Sequence, residues 1–376
     1  MKLLTYLPLS VLPLLPLALA AKTCTSNGAQ SPSAYKLTIS ADSAALHTLS
    51  SIFAAAGKNV SILQVLDSGN RALTSSKPSI GTGNPTVHLA WNAGDENTAK
   101  WLPQGITSSA DADPSGKWEG REAFLVSWHQ DDDSNARVSF VDRASGKYRH
   151  VYLVRPEGES FVSVGVHAGG IVWYQNWLYV VDTSVGVRVF DLENLWEVSI
   201  GEGLGRKADG SYVAENYRYV LPQIHYYRFS STNGSKFRHS YISLDRSDNP
   251  PTLLVGEYQT EDSTVDIRFV KYPLDPSTGR LAVNNDGVVT ATEAYCTNFL
   301  RVQGAFSRNG EIVVSRSNGG TKGGDMFVWT PGKAAESHPG WFPPGNEDLS
   351  YNPVRKEWYT VTEHEGLRWI VGYDSY

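Results

Sequence analysis

The chain has 376 residues, a formal net charge of −6 and only 19% charged side chains. It carries no basic stripe, which argues against a nucleic-acid partner. Beyond the N-terminus no segment is long and apolar enough to span a bilayer, which argues against a membrane protein.

The start, MKLLTYLPLSVLPLLPLALAA, places Lys2 before an apolar run that ends in Ala18-Leu19-Ala20. That is the pattern of a secretory signal, cut after Ala20 or Ala21. A membrane anchor is the alternative, opposed by the short run and by Pro8, Pro13 and Pro16 within it. Secretion would let the only two cysteines, Cys24 and Cys296, pair in an oxidising compartment; two free buried thiols are the alternative. Asn59-Val60-Ser61 and Asn233-Gly234-Ser235 are glycosylation acceptors.

After the signal, a Ser-, Thr- and Asn-rich stretch wraps the surface, and Ser43 to Ala56 is the one helix expected, closed by Gly57. The domain plan is a signal peptide over 1–20, an N-terminal wrapping segment over 21–85 and a β-propeller over 86–376. From there the chain reads as short alternating runs between Gly, Asp, Asn and Ser clusters, an all-β signature.

Five segments resemble one another: WLPQGITSS from Trp101, VHAGGIVWY from Val166, VLPQIHYYR from Val220, LRVQGAFSR from Leu300 and GNEDLSYNP from Gly345. In register they align Gln104, Gly169, Gln223, Gln303 and Glu347. Repeats of this size indicate an array of supersecondary units. The expected fold is therefore a single β-propeller in which each segment opens the innermost strand of a blade. Five blades are expected, with six or seven as alternatives because the spacing is irregular. TVHLAWNA (Thr86 to Ala93) is expected to pair with the last blade and close the ring, leaving no open edge. A jelly roll or two-sheet sandwich is the alternative fold.

Inner strands would bring Gln104, Gln223, Gln303 and Glu347 to a common channel, an oxygen ring suited to calcium or to a water cluster. The second segment breaks the pattern with Gly169 and places His167 two residues earlier; His225 follows Gln223 by two. Either histidine could act as acid, base or ligand. Arg301 and Arg316 could clamp a substrate carboxylate, and Tyr174 supplies a phenol. His167, His225, Arg301, Arg316 and Tyr174 are thus the catalytic candidates. Asp182 is a further candidate in the substrate site, while Asp131 to Asp133 reads as a solvated turn. The chain has eleven Trp and nineteen Tyr. Such rings serve as core wedges or as sugar platforms, with Trp128, Trp173 and Tyr226 the platform candidates.

The segments VHAGGIVWYQNWLYVVDTSVGVRVFDL, PQGITSSADAD and NEDLSYNP resemble a group of secreted proteins of filamentous fungi and actinomycetes, over about Val87 to the C-terminus. The resemblance implies secretion and a propeller-like repeat, and no reaction. At fold level the chain also looks like glycan-active propellers, an analogy that transfers no residue. The expected function is a secreted, monomeric polysaccharide lyase or glycoside hydrolase acting on an extracellular polysaccharide or oligosaccharide. A lectin-like binding propeller and a metal-dependent lactonase or esterase are the alternatives.

Overall fold

A computed structural model of the chain describes residues 28–232, 236–263 and 265–375. The leader, Cys24 and the Asn233 triplet lie outside the described residues. Gly28, near the start of the described chain, pairs across from Cys296.

The fold is all-β. Five antiparallel meanders follow one another, built from runs rich in Val, Ile, Trp, Tyr and Phe, the residues that fit a pleated surface. Meander I comprises Trp101–Ser108, Ala123–Gln130, Ala136–Asp142 and Lys147–Glu157. Meander II comprises Ile171–Tyr174, Trp177–Asp182, Gly186–Asp191 and Tyr219–Ser231. Meander III comprises His239–Asp245, Thr252–Glu257, Ile267–Pro273 and Glu293–Thr297. Meander IV comprises Val302–Arg308, Glu311–Arg316, Gly324–Trp329 and Glu336–Phe342. Meander V comprises Asn346–Asn352, Glu357–Thr362 and Trp369–Tyr373, followed by the early strand Val87–Ala90. That early strand pairs antiparallel with Trp369–Tyr373, with Ala90 opposite Trp369 and Val87 opposite Gly372. Lys147–Glu157 and Tyr219–Ser231 run parallel, so I and II join in one 14-stranded sheet.

The first strand of each meander lies innermost. That of I packs against those of II and V, that of III against those of II and IV, and that of IV against that of V. Four of these strands open with a β-bulge. The register slips between Pro103 and Ile106, His239 and Tyr241, Val302 and Gly304, and Asn346 and Leu349. A bulge inserts an extra residue and re-aims its side chain. The extra residues here include Gln104, Ser240, Gln303 and the pair Glu347 and Asp348.

The third meander differs from expectation. VLPQIHYYR is not an innermost strand: it belongs to Tyr219–Ser231, the outer strand of II, where Gln223 lies opposite Phe190 and Tyr226 opposite Arg188. A small hairpin, Leu204–Arg206 with Tyr212–Ala214, separates this strand from the rest of II. The delay makes it look like a new start. The true innermost strand of III is HSYISLD, with Ser240 in place of the amide.

The paired glycines also have a different cause. A Cβ on Gly169 would lie 2.3 Å from the Ser240 carbonyl oxygen, and one on Gly170 2.5 Å from the Ile242 nitrogen. These glycines let the neighbouring innermost backbone approach; they do not open room in the channel.

At the axis sits Asp348, fully buried. Its Oδ2 accepts hydrogen bonds from the amides of Ile171 (3.1 Å) and Ile106 (3.3 Å), on the innermost strands of II and I. The amides of Ile242 and Leu349, on III and V, also act on it. Burial pushes this carboxyl up, opposed by those amide donors.

Aromatics fill the space between meanders. Trp128 and Trp173 are 0% exposed, Trp128 with its Nε1 donating to Ser139 Oγ and Trp173 to the Gln175 carbonyl. Both are core wedges, each worth roughly 2–3 kcal/mol of burial, and neither is a sugar platform. The N-terminal segment adds Tyr35–Ile39 to the outer strand of II, with Ile39 opposite Tyr227. It also carries the helix Ala44–Ala55, capped by the Ser43 side chain. A second helix, Ile62–Asp67, was not expected from the sequence, although Ser61 and Gln64 form its capping box.

Two predictions follow from buried polar groups. Replacing Asp348 by Ala strips acceptors from amides that nothing else can reach, and a buried unsatisfied donor costs about 1–3 kcal/mol. Chemical denaturation of Asp348→Ala is therefore expected to show a loss of about 3 kcal/mol or more; a loss under about 1 kcal/mol would mean those amides find other partners. The second concerns His150 and His239, which burial holds down to about 3 and about 4 from an ordinary 6.5. Below 6.5 the unfolded chain takes up these protons and the folded chain does not, so stability falls as the pH drops from 6.5 towards 4. His239 packs against Phe229 and Phe237. His239→Phe should flatten that fall in melting temperature, and an unchanged slope would remove His239 from the account.

Candidate functional site

The bulged starts of the innermost strands surround a cavity of about 390 Å³, and Gln104, Gly169, Ser240, Gln303 and Glu347 all line it. Its floor is a pair of carboxyl groups. Glu347 is 1% exposed. Glu363, just past the second strand of V, shares a hydrogen bond with it. Gln303 Nε2 donates to Glu347 Oε1 (3.1 Å), and Gln104 Nε2 to Glu363 Oε2 (2.8 Å). Burial, then the charges of Glu363 and Asp348, push Glu347 well above the usual carboxylate range. Two carboxyls this close disfavour a second negative charge, and the shift falls on Glu347, the buried member.

The wall formed by III carries Tyr258 and Arg238. Burial raises the Tyr258 phenol and the nearby Glu347 and Glu363 carboxyls add to this, while Arg301 and Arg238 pull it back. The Arg238 guanidinium lies 5.9 Å from the Tyr258 ring centroid and forms no ion pair among the described residues. Arg301 sits at the edge, its Nη2 donating to Asn318 Oδ1 (3.0 Å) and lying 3.4 Å from Glu261.

The opposite wall, from I and II, holds His167 and Asp133. His167 Nδ1 is 3.0 Å from Asp133 Oδ1, and His129 Nδ1 is 2.6 Å from the same oxygen. The two imidazole centroids are 4.1 Å apart. Burial, then the neighbouring His167, pulls His129 down to about 4.

His167, Gln104, Gln303 and Glu347 are thus brought together as the sequence suggests, with Arg301 beside them. The other candidates lie elsewhere. Gln223 accepts from Arg188 Nη1 (2.9 Å) on the outer part of II. His225 is buried there, its Nδ1 3.1 Å from Asp42 Oδ1. Tyr226 lies against Arg228, with its amide donating to Ser40 Oγ. Tyr174 ends the innermost strand that begins beside Gly170. At about 3.3 Å per residue that places it at the far end of the channel, beneath Arg246. Asp182 caps its own turn, accepting from Ser184 and Val185 amides and from Arg188 Nε. Arg316 shares the mouth side of IV but is bound to Asp325. Asp111 is also at the far end, held by Thr107 and Ser350.

The calcium ring therefore lacks one of its four oxygens, Gln223. The amide N–H groups of Gln104 and Gln303 are directed at the carboxyls.

Sequence reasoning missed Glu363, Tyr258, Arg238, His129 and Asp133. Most of them share one place in the fold. Residues just past the second strand of a meander flank the start of its first strand, and Asp131 to Asp133, Thr183, Tyr258 and Glu363 all occupy that place.

No protein-family model and no curated protein matches this chain, so neither adds support to the resemblance to secreted fungal and actinomycete proteins. Among solved structures it is similar to a GH43_1 enzyme from Xanthomonas citri. The TM-score is 0.38 at 10% identity, over 78% of this chain and 90% of that one. It is also similar to an exo-beta-1,3-galactanase from Phanerochaete chrysosporium, with a TM-score of 0.37 at 10% identity, over 79% and 64%. The beta-propeller domain of Cps50 (Swd1) from Myceliophteria thermophila matches with a TM-score of 0.37 at 9% identity, over 78% and 99%. Likeness at this level assigns no function, and the reading of function rests on the mouth itself.

Proposed function

We propose that the chain is a secreted carbohydrate-active enzyme, a five-bladed β-propeller that cleaves a uronate-containing extracellular polysaccharide by β-elimination at one mouth of its channel. The leader supports secretion. The cyclic contact of five innermost strands, with Val87–Ala90 completing the fifth meander, supports the closed ring.

One observation carries the chemistry: the buried carboxyl of Glu347 on a polar cavity, raised by burial and by the neighbouring Glu363, with each carboxyl held by a glutamine amide. Hydrolysis of a glycosidic bond by two carboxylates needs them about 5–5.5 Å apart for retention or about 6.5–9.5 Å apart for inversion. Groups in hydrogen-bond contact fit neither. They do fit a reaction in which acid and base work side by side. The ionised member removes the C5 proton of the uronate, and the electrons of that C–H bond form the C4–C5 double bond. The C4–O bond breaks, and the leaving oxygen takes the proton of Glu347. The pair ends with one proton, now on the other member. Arg238, free of an acidic partner among the described residues, holds the uronate carboxylate and stabilises the charge that develops on it.

A purely glycan-binding propeller would need exposed aromatic platforms. Trp128 and Trp173 are core, which removes the main support for that alternative.

The test is Glu347→Gln on a panel of uronate polysaccharides. This substitution keeps the shape and removes the proton, and turnover is expected to fall about 1,000-fold, within the range of general acid–base catalysis. The products should carry the ultraviolet absorbance of an unsaturated uronate. Unchanged turnover in the variant would overturn the role of Glu347. New reducing ends without that absorbance would overturn elimination in favour of hydrolysis.

A further inference from the structure

Across the cavity from the carboxyl pair, His129, Asp133 and His167 offer ligand atoms that all lie within 4.8 Å of one another. The arrangement is poorly explained by hydrogen bonding alone. Two imidazoles converge on a single oxygen, Asp133 Oδ1, at 2.6 and 3.0 Å. His129 has a side chain only 6% exposed, and neither of its ring nitrogens has an aligned hydrogen-bond partner. A buried polar atom without a partner is costly and asks for an explanation. The two rings are tilted by 44° to one another.

We infer that His129, Asp133 and His167 form a binding site for a divalent transition metal, of which zinc is the representative, with its open coordination positions facing the cavity. Two imidazoles and one carboxylate suit zinc and its neighbours rather than calcium or magnesium, which prefer oxygen alone. Bonds of about 2.1 Å place tetrahedral ligand atoms about 3.4 Å apart, so small side-chain rotations from the observed separations suffice. The ligands come from the end of the Ala123–Gln130 strand, from the loop after it and from the approach to Ile171–Tyr174. An ion would therefore pin I to II at the rim.

The inference does not depend on the elimination chemistry, because none of its three ligands belongs to the Glu347 and Glu363 pair. Isothermal titration of the metal-free protein with zinc chloride should show one tight site. His167→Ala, an exposed position whose loss leaves the core intact, should weaken it about 100-fold or more, and Asp133→Asn should weaken it too. Glu347→Gln should bind zinc as the native chain does. Absence of a stoichiometric site in the native protein would overturn the inference, as would unchanged zinc affinity in both ligand variants.

Discussion

Five innermost strands meeting at one axis create a problem that the rest of the structure must solve. Their backbone amides near the axis have no ladder partner, and water has little access. Asp348 answers it, placing one buried carboxyl among amides from meanders I, II, III and V. One carboxyl near the axis thereby meets amides from four meanders at once. The cost is a carboxyl in a place without counter-charge, and that cost reaches its neighbour. Burial pushes Glu347 up first, and the neighbouring carboxyls of Glu363 and Asp348 add to it. The tie among the innermost strands thus also adds to the upward shift of the group on which the proposed chemistry depends.

The bulges connect that constraint to the mouth. A regular strand would send Glu347 and Asp348 to opposite faces. The register slip between Asn346 and Leu349 lets both serve the axis, one inside and one at the opening. Equivalent slips aim Gln104 and Gln303 at the same opening, where each amide supports one member of the carboxyl pair. The polar ring is therefore a product of backbone irregularity at a fixed point in the repeat.

This explains what could be read from the sequence. The bulge leaves a local mark, a polar residue before a small or apolar one at the start of an alternating run, and three of the five segments, those from Trp101, Leu300 and Gly345, carry it on a bulged innermost strand. VLPQIHYYR carries the same mark for another reason: its polar Gln223 answers Arg188 across an outer pair. A local pattern cannot separate those cases, because the difference lies in which strand comes next in space. His167 was legible because it lies beside Gly169, although those glycines serve the approach of the next backbone. Glu363, Tyr258 and Asp133 were not legible, since each comes from a loop of a different meander and no sequence spacing links them. Their common place, just past a second strand, emerges only once strand order is known.

The aromatic content shows the same limit. Trp128 and Trp173 suggested stacking surfaces, but a ring of meanders needs large wedges between its sheets, and they meet that need. Recognition at the mouth then falls to polar groups, and these are unevenly divided. The wall from III is cationic, with Arg238 beside Tyr258 and Arg301 at its edge, while the floor and the wall from I and II are acidic or imidazole-bearing. A neutral ligand would gain little from that asymmetry. An anionic sugar would be oriented by it, with its carboxylate toward Arg238 and its scissile side over Glu347. Any cation held by His129, Asp133 and His167 would make the second wall positive as well. The carboxyl pair would then lie between two positive walls, which favours an acidic chain threading across the mouth.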